Sequence, residues 1–310
     1  MIATAPRRPS LARVVTSSPV LPDRIVLYAP PGWGKTSFAA FMPKPIFLMT
    51  PGEDRLKKLI EQGLVPPTAH FPDLVDSWAG VQEAITELIR QDHDYKTFVL
   101  DTGNGVERLG HEQVCESEFG YDWGEAGFNA FGRGEKISTN KLWTPFLADL
   151  DHLRERRGMR IVLLCHTGTR STKNPDGPDY DKVEPALTRG AWSATSKWAD
   201  MILYGAFDVQ AKKESKIARA KVTGGRVRIL HASPTAAYEA KNCHRLPPTI
   251  RLGEDPARAF DAFRAAFPKR QEVTNGQGTP HNPNGPGPRI LAANGAPAPA
   301  QPTTSPASDP

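Results

Sequence analysis

The sequence is short of several things. Among its 310 residues are three cysteines, Cys115, Cys165 and Cys243, odd in number and far apart. That spacing argues against a disulfide framework or a zinc cluster, and it fits a reducing cytoplasm. No stretch approaches the roughly 20 apolar residues that a membrane span needs, so no membrane association is expected. Arg7 and Arg8 are followed by Arg13, Ser17, Ser18 and Pro19 rather than by an apolar run, which argues against an export signal. Nor is there a large excess of one charge: 39 basic and 34 acidic residues give +5 and a pI near 9.1. Such a balance permits a polyanionic partner without requiring one.

Bulky apolar residues are scarce at both ends. From Gln271 onward the chain holds nine prolines and five glycines and almost nothing to build a core from. Residues 269–310 therefore read as a disordered Pro/Gly-rich tail, because so little apolar surface cannot offset the entropy of ordering. Residues 1–20, with arginines among proline and serine, read as a flexible segment. Between them, 21–268 is long enough for one α/β domain with a large core.

Within that domain, short apolar runs alternate with helical patterns. RIVLYA (24–29), KPIFLMT (44–50), KTFVLD (96–101), MRIVLLCH (159–166) and DMILYGAF (200–207) read as strands. LVDSWAGVQEAITELIRQ places Leu74, Trp78, Val81, Ile85, Leu88 and Ile89 on one helical face, and a helix over 137–157 aligns Leu142, Phe146, Leu150 and Leu153. A helix is expected near 191–198, and another opens at Asp255-Pro256 with aspartate as cap and proline at its first position. A hairpin is predicted to turn at Gly224-Gly225. The Gly-rich segment 102–135 and the polar segment 167–182 read as two long loops. This alternation predicts a mostly parallel sheet with helices on both faces.

The first strand runs into Pro31-Gly32-Trp33-Gly34-Lys35-Thr36-Ser37, and a helix starts at Lys35. A strand, a glycine-rich turn and a helix in that order direct backbone N–H groups at a phosphate. Lys35 then meets the β/γ oxygens and the Thr36 hydroxyl can ligate Mg²⁺. One glycine of the usual G-x-x-x-x-G-K-[ST] pattern is missing, since the position is Ala29. A methyl group there costs little unless φ is positive. Asp101, closing the run TFVL, has the form of the carboxylate that steadies the metal. Glu53 and Glu107 are rival candidates for the water-activating carboxylate, and either could instead be a loop charge. His166, at a strand tip, could report the γ-phosphate or simply bond to backbone.

The ordered series PPGWGKTS, TPGED, VLDTGNG, LLCHTG and YEAKNCHRLP resembles the RecA-like core ATPases over roughly residues 21–253. Within them it is most similar to the compact phage-encoded AAA-family group associated with single-strand annealing recombination. The resemblance implies a RecA-like P-loop core with C-terminal hairpin strands, using ATP and Mg²⁺. The strand ending in His166 would lie between the phosphate-loop strand and the Asp101 strand, with Glu53 as the water-activating carboxylate. Where the family carries aspartate-x-glutamate, this chain reads Pro51-Gly52-Glu53. Lys241 and Arg245 would reach the phosphates of a neighbouring subunit. On the residues alone they are two basic side chains near a strand end.

The resemblance also places DNA-contacting loops after Asp101 and after His166. Loop one offers Tyr121, Trp123, Phe128 and Phe131 with Arg133 and Lys136, a set able to stack bases and meet a backbone. The same aromatics could equally pack into a small lobe. Loop two offers Arg170, Lys173 and Lys182, offset by Asp176, Asp179 and Asp181. The implied partners are single-stranded DNA, further copies of the chain in a ring or filament, and a single-strand-binding or replication protein. The implied role is annealing or strand pairing in phage-type recombination, in the host cytoplasm. A helicase- or packaging-type motor and a poorly hydrolysing nucleotide switch are the alternatives.

Overall fold

The structure, a computed structural model, describes residues 11, 14, 15, 20–212 and 221–268. The expected tail, and most of the expected N-terminal segment, lie outside the described residues.

Eight strands form one sheet. In chain order they are β1 (Arg24–Tyr28), β2 (Pro45–Met49), β3 (Ala69–His70), β4 (Thr97–Asp101), β5 (Arg160–Cys165), β8 (Met201–Lys212), β9 (Lys221–His231) and β10 (Thr249–Gly253). Their spatial order is β10-β9-β8-β1-β5-β4-β2-β3. Pairing is parallel from β8 through β3, and β9 and β10 add antiparallel strands at one edge. β5 lies between β1 and β4, the arrangement expected for the strand that ends at His166.

The central strands read as unbroken apolar runs because both faces are covered. Val26, Leu48, Leu100 and Leu163 face one core with α3 (Trp78–Arg90), α4 (Gly103–Phe119), α6 (Thr144–Arg157) and α7 (Arg189–Trp198). Their neighbours Leu27, Met49, Val99 and Leu164 face a second core with α1 (Lys35–Ala40), α2 (Arg55–Glu61) and α8 (Pro256–Ala265). Here Phe38 of α1 meets Phe260 and Phe263 of α8 at 5.6 and 5.5 Å between ring centroids. Truncating any one of these fully buried leucines to alanine would cost about 2–5 kcal/mol. As expected, Asp255 caps α8, accepting from Ala257 N at 2.9 Å, with Pro256 at its first position.

Several expectations are corrected. The Gly-rich segment after Asp101 is mostly helix, not loop. Glycine weakens a helix by about 1 kcal/mol, but a Cβ on Gly105 would lie 2.0 Å from Thr50 Oγ1; close packing selects the residue. The polar segment after His166 is a separate hairpin, β6 (Thr167–Thr172) paired with β7 (Tyr180–Pro185). Gly224 and Gly225 lie inside β9 at a register shift opposite Phe207–Val209, so they form a bulge rather than a turn. Leu74 precedes its helix: Ser77 accepts from Gly80 N and starts α3 there, leaving Leu74 to pack with the other core. The helix expected over 137–157 is divided into α5 (Arg133–Ser138), a π turn (Thr139–Trp143) and α6, with proline opening the last. Among the described residues no helix is long and apolar enough to cross a membrane.

Candidate functional site

The carboxyl ends of β1, β2, β4 and β5 open onto a cleft of about 350 Å³. Its floor is the loop 30–37. Gly32 and Gly34 take φ +80° and +99°, values that favour glycine. Ala29 is not left-handed and is fully buried, so its methyl is tolerated, and its carbonyl accepts from Lys35 Nζ at 2.9 Å. Burial pushes the Lys35 pKa down. A phosphate entering the cleft would supply the anion that this ammonium lacks.

Pro31, Gly32, Gly34, Lys35, Thr36 and Ser37 all line the cleft; the side chain of Trp33 does not. It is fully buried, its Nε1 donating to Ala206 O at 3.0 Å, and a Cβ on Gly205 would lie 2.6 Å from its ring. Trp33 anchors the loop to β8 instead of touching a ligand.

Opposite the loop, Thr36 Oγ1 donates to Asp101 Oδ2 at 2.7 Å. Asp101 is 1 % exposed and its Oδ1 is buried with no hydrogen-bond partner. Burial pushes its pKa up to about 6, against the Thr36 hydrogen bond. A hydroxyl beside a buried, half-satisfied carboxylate is an oxygen donor set that fits Mg²⁺.

Glu53 is delivered by a tight turn in which Thr50 O accepts from Glu53 N at 3.1 Å, with Pro51 second and Gly52 third at φ +92°. Its Oε1 lies 2.7 Å from His166 Nε2. The His166 backbone N donates to Asn104 Oδ1 at 2.8 Å, tying the tip of β5 to the start of α4. Lys35, Thr36, Glu53, Asp101 and His166 thus share one cleft. Glu107 does not reach it. It is buried in α4, accepting from Thr188 N and Oγ1 at 3.1 and 2.6 Å, so it fixes the start of α7.

Two basic residues that line the cleft, Arg228 and Arg55, were not expected from the sequence. Arg228 of β9 donates from Nε to Trp33 O at 2.5 Å and from Nη1 to Glu254 O, and it lines the cleft beside Gly34. Arg55 opens α2 two residues after Glu53. The alternation RVRIL marks a strand face with arginines, but nothing in the sequence ties that strand to the phosphate loop.

Lys241 and Arg245 lie elsewhere. Lys241 bridges to Ile202 near the amino end of β8, and its Nζ donates to the carbonyls of Ala199 and Ser196, at the end of α7. Arg245 is exposed, with φ +56°. Neither enters this chain's own cleft.

The two candidate DNA segments differ. Phe128 is buried with Val114 and Cys115, whereas Tyr121, Trp123 and Phe131 are 64, 41 and 108 % exposed. Arg133 lies over the Phe119 ring at 5.6 Å, and Lys136 is exposed. On the hairpin, Arg170 Nη1 sits 2.7 Å from Glu184 Oε1, off the angle of a hydrogen bond but close enough to pair the charges. Lys173 pairs with Asp179 at 2.5 Å and Lys182 with Glu239 at 2.8 Å.

No curated protein matches the chain. The solved structure of the RadB recombinase superposes with a TM-score of 0.40 at 12 % identity, over 76 % of this chain and 90 % of that one. The family described as "AAA domain" matches residues 21–244. By that match, the chain belongs to the AAA-domain family.

Proposed function

We propose that the protein is a RecA-like, Mg²⁺-dependent ATPase that binds single-stranded DNA and promotes annealing or strand pairing in phage-type recombination. One observation carries the catalytic half: Lys35, Thr36, Glu53, Asp101 and His166 converge on one cleft, where Asp101 keeps a buried oxygen unpartnered. The position of β5 between β1 and β4 supports the RecA-like reading. The loop amides and Lys35 bind the triphosphate. Thr36 and Asp101 would hold Mg²⁺, which supplies charge neutralisation at the phosphate oxygens. Glu53 takes the proton of the attacking water, and His166, bonded to Glu53, positions that carboxylate. Arg228 and Arg55 add positive charge from within the chain. Lys241 and Arg245 complete the site of a neighbouring copy in a ring or filament.

The nucleic-acid half rests on the exposed Tyr121, Trp123 and Phe131 near Arg133 and Lys136. Aromatic faces stack bases without regard to sequence, as annealing requires. A second reading, a nucleotide switch that hydrolyses poorly and works through partners such as a single-strand-binding or replication protein, is favoured by one contact. Glu53 is held by His166 at 2.7 Å, and a carboxylate so engaged is a weaker base.

Measuring ATP turnover with and without single-stranded DNA, beside an unwinding assay, separates the readings. DNA-stimulated turnover without unwinding is expected. Unwinding would identify a motor, and tight nucleotide binding without turnover would identify the switch.

A further inference from the structure

A second constellation lies toward the end of the sheet opposite the phosphate loop. Asp23 stands immediately before β1, and Cys243 and His244 lie in the segment between the Lys241 bridge and β10. A carboxylate oxygen, a thiol sulfur and an imidazole nitrogen from these three residues all lie within 4.8 Å of one another. Asp23 is about 220 residues from the other two in sequence.

We propose that Asp23, Cys243 and His244 bind a thiophilic divalent cation, zinc foremost, with water in the fourth position. The donor set of one sulfur, one nitrogen and one oxygen suits a borderline-soft metal and not Mg²⁺ or Ca²⁺. Metal–ligand bonds of 2.0–2.3 Å in a tetrahedron put donor atoms roughly 3.3–3.8 Å apart. His244 Nε2 and Asp23 Oδ1 are 2.7 Å apart, so they must separate by about 0.6 Å, while the thiol, within 4.8 Å of both, closes on them. His244 and Asp23 are part-exposed and Cys243 is exposed, which leaves their side chains room to adjust.

The backbone beneath is already organised. Asn242 Oδ1 accepts from His244 N and Leu246 N at 3.3 and 3.0 Å, and its Nδ2 donates to Ala232 O at 2.8 Å. Leu246 is buried in the core, and Asp23 O accepts from Ile161 N at 3.1 Å. Thiolate and carboxylate together match the charge of a dication. The neighbouring Asp200 is already paired with Arg24 at 2.8 Å and Arg154 at 3.3 Å, and Lys241 and Arg160 lie close by, so the negative charge of the site is that of its own thiolate and carboxylate. Binding releases the thiol proton. The cation would then fasten the start of β1 to the loop that carries Arg245.

The test uses the full chain, purified under a non-thiol reductant, stripped with chelator and titrated with Zn²⁺ and with Co²⁺. One equivalent of Zn²⁺ is expected, and Co²⁺ should give a thiolate charge-transfer band in the near ultraviolet. Cys243→Ser and His244→Ala should each weaken binding at least tenfold and Cys243→Ser should abolish the band, while Cys115→Ser should change neither. Cys243 is exposed, so its serine variant is expected to fold, which circular dichroism checks. Absence of Zn²⁺ uptake by the wild-type chain, or equal affinity in Cys243→Ser, overturns the proposal and leaves Asp23–His244 as a hydrogen-bonded pair beside the Cys243 thiol.

Discussion

The segments that leave the tips of β4 and β5, one rich in glycine and aromatics and the other polar, both read as loops from sequence and differ in what they expose. After Asp101 the chain packs a helix and a small lobe, burying Phe128 but leaving Tyr121, Trp123 and Phe131 outside. After His166 it forms a hairpin whose Arg170, Lys173 and Lys182 are each paired with a carboxylate of the same chain. A basic residue attracts phosphate only with the charge its neighbours leave it, and that cannot be counted from a sequence. The lobe is no richer in free positive charge, since Glu116, Glu118, Asp122, Glu125 and Glu135 surround Arg133 and Lys136; its exposed aromatics make it the better candidate for a single strand, and the hairpin is largely self-satisfied.

The largest effect expected belongs to the cleft between the two segments. Lys35→Ala should weaken ATP binding by more than about a hundredfold, since a buried charge-assisted contact to phosphate is lost. A fluorescent nucleotide titration measures it; DNA affinity that persists without nucleotide is then assignable to the lobe. Retained nucleotide affinity would remove the phosphate-loop assignment.

Next in size is a direct contrast of the segments. Trp123→Ala with Phe131→Ala should lower single-strand affinity by about thirtyfold or more, since two stacked bases at roughly 1–3 kcal/mol each amount to at least about 2 kcal/mol. Arg170→Ala with Lys173→Ala should change that affinity little, yet destabilise the fold by about 1–3 kcal/mol by leaving Glu184 unpaired. Anisotropy titrations and thermal melts read both. Equal losses of affinity would erase the distinction between the segments.

The third prediction concerns Asp101, where the lobe's helix begins. Its carboxyl titrates at about 6 in the fold, above its ordinary value near 3.8. A raised carboxyl binds its proton more tightly folded than unfolded, so its contribution to stability is full below about pH 4 and is lost as pH rises through 6. Asp101→Asn removes that cost. It should raise unfolding free energy at pH 7.5 by about 1–3 kcal/mol, because moving a titration by one pH unit on folding is worth about 1.4 kcal/mol, while abolishing Mg²⁺-dependent turnover. A lower melting temperature in the absence of nucleotide would contradict the reading.

The smallest effect is on salt dependence. Arg133→Ala with Lys136→Ala should flatten the slope of log affinity against log salt by about 0.7 per lost phosphate contact. An unchanged slope would mean these side chains do not meet the DNA backbone.

The core strands were legible because each is an apolar run short enough for a strand and bounded by turn residues. Lys35, Thr36 and Asp101 were legible for a similar reason: a strand–loop–helix motif carries its geometry in local sequence. Trp33 was misplaced because a motif fixes the backbone path and says nothing of which way an intervening side chain points. Glycines 103, 105 and 110 read as loop because their reason for being glycine is the wall they pack against, and in the case of Gly105 that wall is Thr50, just past the end of β2.

The chain's own sequence determined the alternation of strands and helices, the phosphate loop with its lysine and threonine, and the aspartate at the tip of β4. These follow from hydrophobic period and local backbone preference, which act over a few residues. Tertiary structure decided which charges stay free, that Arg228 reaches the loop while Glu107 does not, and that Asp23 meets Cys243 and His244. Those outcomes depend on distances between segments far apart in the chain, which are set only when the sheet assembles and its two cores close.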